Sequence, residues 1–143
     1  MSQAKTPGIA DYPLAEKRPD LVESADGKPL DALTLEALEA GTIGMESLRI
    51  TPEALRQQAA IARAAGRETL AQNFERGAEL VVVPQEVIMQ AYELLRPGRA
   101  PDKQSLLDMA ARLRAEYGAE TVAAFLEEAA AVYEARGLFR YRF

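Results

Sequence analysis

Residues 102–137 decide the fold, and they read DKQSLLDMAARLRAEYGAETVAAFLEEAAAVYEARG. Asp102 precedes the first apolar residues, where a side-chain oxygen can cap the backbone N–H groups of a helix. Gly118 and Gly137 stand at the two ends where a helix would stop, because glycine readily adopts the left-handed conformation that terminates helices. The apolar residues at helical spacing are Leu106, Ala110, Leu113 and Tyr117, followed by Val122, Leu126, Ala129 and Tyr133. The stretch therefore predicts two consecutive amphipathic helices.

The strongest helix-start signal upstream is Thr51-Pro52-Glu53. A threonine caps, proline suits the first helical position, and an acidic residue complements the helix dipole. We expect this helix to run to Gly66. Its packed face should contain Leu55, Ala59 and Ala62, whereas Arg56, Gln57, Gln58 and Arg63 should lie largely elsewhere.

Three further helices are predicted. Thr34 caps a short helix that ends at Gly41, and apolar residues from Leu70 to Val81 recur at helical spacing. A third helix begins near Pro84, and its inward residues should be Ile88, Ala91, Tyr92 and Leu95. No segment alternates with period two for long, so the sequence predicts an all-α fold, a compact helical domain of about five to six helices with an extended N-terminal arm.

That arm comprises residues 1–33, and the helical domain comprises residues 34–143. The arm contains four prolines, which prevent a long helix, together with apolar residues at intervals. A disordered leader would account for residues 1–10, but not for the apolar residues that follow. We therefore expect the arm to dock on a partner, and the candidate interface residues are Tyr12, Pro13, Leu14, Leu21 and Val22.

The composition predicts a thin hydrophobic core. Of the 143 residues, 27 are alanine, and an alanine methyl group buries far less apolar area than a leucine or phenylalanine side chain. Small domains also bury a smaller share of their surface than large ones do. The chain should therefore depend on a partner for part of its stability.

The sequence contains neither histidine nor cysteine. It lacks the usual near-neutral acid–base group, a thiolate nucleophile and the ligands of common zinc sites. Helix-bundle metal sites built on carboxylates normally add histidine, so the glutamates near residues 120–134 should form a solvated face. Carboxylates, lysine or tyrosine could still catalyse, so an independent enzyme stays an alternative, but the acidic residues follow exposed helix faces instead of a converging site. We predict no catalytic, cofactor-binding or metal-ligating residue on this chain.

The formal net charge of −5 disfavours nucleic acid and anionic membranes as partners. The longest apolar runs, such as residues 80–84, are far shorter than the roughly 20 residues that span a bilayer. The N-terminus shows no apolar signal region, and the lack of cysteine suits a reducing compartment. We expect a cytoplasmic protein that binds neither nucleic acid nor membrane.

The C-terminal stretch from Leu138 to Phe143 reads LFRYRF, with aromatic and arginine residues alternating after Gly137. Aromatic and arginine side chains are enriched at binding hot spots. A tail that covers its own core would look the same, so the sequence leaves both interpretations open.

An ordered series of short segments, from residue 11 to residue 136, resembles the small subunit of adenosylcobalamin-dependent diol and glycerol dehydratases. No single segment is a catalytic signature, but their order and number are specific. The segments are DYPLA (11–15), RITPEAL (49–55), AGR (65–67), LA (70–71), NFER (73–76), AEL (78–80), VP (83–84), Tyr92, LRP (95–97), AF (124–125), EAA (128–130) and Tyr133.

This resemblance implies a dimer of heterotrimers with large and medium dehydratase subunits. It also implies that adenosylcobalamin lies between those two subunits, that the large subunit houses the radical chemistry, and that the small subunit supplies no catalytic residue. The product would be an aldehyde formed from 1,2-propanediol or glycerol, and this chain would support assembly. The cofactor would perform the difficult step while protein groups orient and shield it.

Two further expectations accompany the resemblance. Small subunits of microcompartment-associated diol dehydratases often have a longer N-terminal extension than the ten residues that precede Asp11 here. Microcompartment association is therefore possible but is not indicated by this N-terminus. The alternative to a dehydratase subunit is a free helical adaptor or regulatory protein that shares the same scaffold.

Overall fold

The computed structural model describes residues 6–139. Within them there is no β-strand, and a single isolated bridge joins Glu23 to Pro29. The predicted all-α class is confirmed. The helices are α1 (Leu14–Lys17), α2 (Leu35–Glu39), α3 (Pro52–Ala64), α4 (Glu68–Leu80), α5 (Gln85–Leu95), α6 (Lys103–Tyr117) and α7 (Glu120–Ala135).

The predicted helix starts are confirmed at three positions. The side chains of Thr34, Thr51 and Asp102 each accept a hydrogen bond from the backbone N–H three residues later, at 3.1, 3.1 and 2.8 Å. Gly118 ends α6 with a φ of 63°, a left-handed conformation that a side chain would strain. Local chemistry therefore fixes these helix limits.

Internal packing divides the chain into two units, Met1–Ala78 and Glu79–Phe143. This division does not fall at residue 33, where the sequence suggested the arm would end. The arm shares a unit with α2, α3 and most of α4, and the turn at Ile9–Asp11 packs on α3. The docking of residues 1–33 on a partner stays a prediction.

The core of the second unit is built around α6 and α7. Three leucines, Leu106, Leu113 and Leu126, are fully buried there. Most of the other buried residues of this core are alanines, and alanine allows two helices to approach closely. The fully buried alanines are Ala110, Ala119, Ala123 and Ala130.

The expected inward face of α5 is corrected at Tyr92. This side chain is 54% exposed, because α5 turns Val87 and Ala91, one helical turn apart, toward the core. Tyr133 on α7 lies closer to the core, and its hydroxyl donates a hydrogen bond to the Leu95 carbonyl oxygen. Its ring also meets that of Phe139 edge to face, with centroids 6.1 Å apart. The tail residues 140–143 lie outside the described residues.

A carboxylate from elsewhere in the unit caps the start of α7. The residue before this helix, Ala119, has no side-chain oxygen, and Glu79 takes its place. The Glu79 carboxylate accepts hydrogen bonds from the backbone N–H groups of Thr121 and Val122, both at 2.9 Å, and from the Thr121 hydroxyl. Its negative charge also lies at the positive end of the helix dipole.

The core of the first unit is smaller. Its clustered part is Ala59, Ala62 and Ala71, with Leu70 and Phe74 packed against it, and the unit also buries Leu14, Ile43, Ile61 and Ala78 outside this cluster. Three methyl groups and two half-buried side chains cover little apolar area. The thin core predicted from the composition is therefore found in this unit.

Residues 6–33 are folded into short turns instead of running straight. They form α1 and three 3-10 turns, at Ile9–Asp11, Pro19–Leu21 and Leu30–Ala32. The prolines do prevent a long helix, as expected, but proline also favours the first position of such turns. The extended course expected for the arm is therefore interrupted.

One carboxylate holds the end of this segment in place. Asp26 accepts hydrogen bonds from the hydroxyls of Ser24 and Ser47, both buried, and forms an ion pair with Lys28. The Lys28 ammonium also donates to the Thr42 carbonyl oxygen. The hydrogen bond from Ser24, followed by that from Lys28, lowers the pKa of the Asp26 carboxyl to about 2. This cluster fixes residues 24–28 against residues 42–47.

Replacing Glu79 with alanine should lower the free energy of unfolding by about 1–3 kcal/mol, because two backbone N–H groups of α7 lose their acceptor. Glu79→Gln should cost less, since an amide oxygen can still accept one of these bonds. Urea denaturation at pH 7 measures both changes.

The matched control is Glu128→Ala, which removes an exposed carboxylate from the middle of α7. It should change the free energy of unfolding by less than about 0.5 kcal/mol. Equal losses for Glu79→Ala and Glu128→Ala would contradict the capping role.

The low pKa of Asp26 predicts a pH-dependent contribution to stability. Because the folded pKa of about 2 lies below the ordinary value of 3.8, the contribution is present above about pH 4 and is lost as the pH falls toward 2. The difference in urea midpoint between wild type and Asp26→Asn should therefore be largest near pH 6 and shrink by pH 2.5. Asp31→Asn, at an exposed position of the same segment, should show no such trend. A constant difference across this pH range would rule out the ionised carboxylate as its source.

Candidate partner-binding site

The five interface residues predicted from the sequence line one groove in the first unit. Its volume is about 420 Å³, and its wall contains Tyr12, Pro13, Leu14, Leu21 and Val22. We call it the arm groove. The five residues are not equally accessible, since Leu14 is only 6% exposed whereas Tyr12 is 58% exposed. Leu14 thus anchors the arm within the chain, and Tyr12 faces outward.

The other wall of the arm groove comes from the start of α3. Ile50, which is 57% exposed, and Ala54 contribute its apolar surface. Sequence reasoning did not select Ile50, although an isoleucine directly before a helix cap is a plausible apolar contact. Ile50 could have been identified from its position one residue before Thr51, because this position lies beside the first turn of α3.

A buried glutamine joins the two walls. The Gln57 amide nitrogen donates a hydrogen bond to the Leu21 carbonyl oxygen at 3.2 Å, and the residue is only 9% exposed. The expectation that Gln57 lies away from the packed face is therefore wrong. The arm covers the polar side of α3 there, and a buried amide needs a partner, which the Leu21 carbonyl supplies.

A second groove, of about 340 Å³, lies between the arm and the helices α3 and α4. We call it the Phe74 groove. Its apolar wall includes Ile9, Ile61, Leu70 and Phe74. Tyr12 and Gln58 line both grooves, so the two depressions meet at these residues. Together they form a continuous, largely apolar surface.

Ion pairs join the two helices that contribute to the Phe74 groove. Arg63 on α3 contacts Glu68 at 3.0 Å and Glu75 at 2.9 Å, both on α4. The hydrogen bonds from Arg63 lower the pKa of the Glu68 carboxyl. The residues that line this groove also include one cation, Arg67.

The chemistry of these grooves suits binding. Their walls present aliphatic and aromatic side chains, and their polar lining includes glutamine amides, the carboxylates of Glu23 and Glu53 and the guanidinium of Arg67. Surfaces that are largely apolar with a few polar groups recognise apolar side chains of a partner. Within the part of the chain that the structure describes, no group of three or more acidic side chains could hold a metal ion. None of the helices in residues 6–139 is both long enough and apolar enough to cross a bilayer.

Comparison with known proteins identifies the family. Residues 8–140 match the family model described as dehydratase small subunit. The chain is 47% identical over 135 residues to the propanediol dehydratase small subunit of Citrobacter freundii, which covers 94% of this chain and 78% of that protein. It is 48% identical over 128 residues to the propanediol dehydratase small subunit of Salmonella typhimurium, with 90% and 73% covered. The resemblance seen in the sequence is thereby confirmed, and the chain belongs to the dehydratase small subunit family.

Proposed function

We propose that this chain is the small, non-catalytic subunit of an adenosylcobalamin-dependent dehydratase that converts 1,2-propanediol or glycerol to an aldehyde. Its task is to support the assembly and stability of the large catalytic subunit. The observation that carries the proposal is the arm groove. In a member of a dehydratase small subunit family, this groove presents large apolar side chains to the surface.

The exposed side chains around the groove are of the kind that stabilises protein complexes. Tyr12 and Ile50 would remove apolar area from water on docking, at about 25 cal/mol per Å². Tyrosine is also enriched among the residues that dominate binding energy. The Gln57 hydrogen bond and the Asp26 cluster hold the groove walls in the free chain, which reduces the entropy lost on binding.

The residues of this chain do not fit a cobalamin-binding role. A protein that replaces the lower base of cobalamin uses a histidine, and the sequence has none. When bound to the complex, the cofactor supplies radical chemistry, and we place it between the large and medium subunits. This chain contributes shape and apolar contacts, and no catalytic residue.

The complete assembly is proposed to be a dimer of heterotrimers of large, medium and small subunits in the cytoplasm. Dependence on partners agrees with the small alanine-based core of the first unit. Neither nucleic acid nor membrane is a proposed partner, because the net charge of −5 repels both phosphate backbones and anionic lipids.

A variant with a charge in the arm groove tests whether this groove binds the large subunit. Tyr12→Asp places a carboxylate in the arm groove, where docking would bury it without a partner. We expect the variant to bind the cognate large subunit at least about tenfold more weakly, measured by titrating the purified small subunit into the large subunit. Dehydratase activity at a limiting concentration of the small subunit should fall in proportion. The melting temperature of the free chain should change little, since Tyr12 is exposed.

Met45→Asp is the matched control, because Met45 is 78% exposed and lies in neither groove. It should bind within about twofold of wild type. Undiminished binding by Tyr12→Asp would exclude the arm groove as the interface. A chain that formed no complex with any dehydratase subunit would favour the free adaptor instead.

A further inference from the structure

We infer that Arg67 forms an ion pair with a carboxylate of the partner dehydratase subunit, on an extended segment that crosses from the arm groove into the Phe74 groove. This inference rests on the proposed function and specifies the chemistry of the partner. Arg67 is exposed and lines the Phe74 groove, beside Leu70 and Phe74.

The carboxylates nearest to Arg67 in the sequence are already engaged. Arg63 contacts Glu68 through two guanidinium nitrogens and also pairs with Glu75. Gln72 donates a further hydrogen bond to Glu68. Within residues 6–139, no ion pair involves the Arg67 side chain. The chain has an excess of acidic residues, yet it leaves this cation at the edge of an apolar groove.

The position of Arg67 in the fold also argues against a role in local stability. It directly precedes α4, so its charge lies at the positive end of the helix dipole. Helices favour Ser, Thr, Asp or Asn at this position, because their side chains accept hydrogen bonds from the backbone. The Arg67 carbonyl oxygen accepts the hydrogen bond from the Ala71 backbone N–H, but the arginine side chain has no acceptor with which to cap α4. A carboxylate arriving from a partner would be attracted by both the guanidinium and the dipole.

Gln58 indicates that the partner segment is extended. This half-buried residue lies where the two grooves meet, and in the described part of the chain its amide has no hydrogen-bond partner. An amide offers one donor and one acceptor face, which match the N–H and C=O groups of a peptide unit. A helix has already paired those groups, but an extended segment presents them.

The partner segment is therefore defined by three features. Its backbone bonds to Gln58, an apolar side chain enters the Phe74 groove, and a neighbouring Asp or Glu reaches Arg67. Successive side chains of an extended chain point in opposite directions, so the apolar residue and the acid stand two apart in its sequence if both face this surface.

The decisive variant is Arg67→Asp in the full chain, assayed with the cognate large subunit. Aspartate caps helices, so the melting temperature of the free chain should stay the same or rise by a few degrees. Binding to the large subunit should weaken at least about tenfold, because the partner carboxylate then meets a like charge. Arg67→Lys should retain most of the affinity. Between 50 and 500 mM NaCl, wild-type affinity should fall more steeply than that of Arg67→Asp.

Arg56→Glu is the control, since it makes the same change in charge at an exposed position of α3 outside both grooves. It should bind within about twofold of wild type. Gln58→Leu keeps the side-chain size and removes the amide, and it should weaken binding by about three- to tenfold.

The outcomes separate the two proposals. If Tyr12→Asp weakens assembly but Arg67→Asp does not, the interface stands and the inference about Arg67 is wrong. If neither variant weakens assembly, the proposed interface itself is wrong. A fall in melting temperature that accounts for the weaker binding of Arg67→Asp would show that Arg67 acts within the chain, which also overturns the inference.

Discussion

The buried side chains of this protein are small, and their size limits how much apolar surface the chain can cover by itself. Ten of the twenty buried apolar residues within residues 6–139 are alanines. Alanine lets helices approach closely, as Ala110 and Ala123 do between α6 and α7, but it removes little apolar area from water. A core of this kind cannot also cover the larger side chains. Tyr12, Ile9 and Ile50 therefore remain at the surface, where a partner can use them.

Polar contacts help to fix the positions of the segments, which a larger apolar core would otherwise do. Glu79 fixes the start of α7, Gln57 holds the arm to α3, and Asp26 fixes the loop that continues the arm. Each contact joins residues more than twenty positions apart in the sequence. Such bonds contribute only about 1 kcal/mol each, but leaving a buried partner unsatisfied costs more. They therefore specify where the segments lie and keep the grooves open in the free chain.

Local signals in the sequence were sufficient for most of the helices. Caps such as Thr51 and Asp102 act within one turn of the backbone, so the sequence alone identified them. The five arm residues line one groove, and their contact with a partner stays a prediction. The burial of Gln57, the outward position of Tyr92 and the capping of α7 by Glu79 could not be predicted in this way. These three features depend on which distant segment of the chain packs against each residue. Helical periodicity does not indicate which segment that is.

In the dehydratase complex that we propose, the partner covers the surface formed by the arm groove and the Phe74 groove. Hydrogen–deuterium exchange on the full chain, alone and bound to its cognate large subunit, measures this coverage. The backbone amides of residues 9–22 and 58–74 should exchange more slowly in the complex, whereas those in the middle of α6, already protected by the core of the second unit, should change little. Protection confined to the second unit, with unchanged exchange across residues 9–22, would contradict the account.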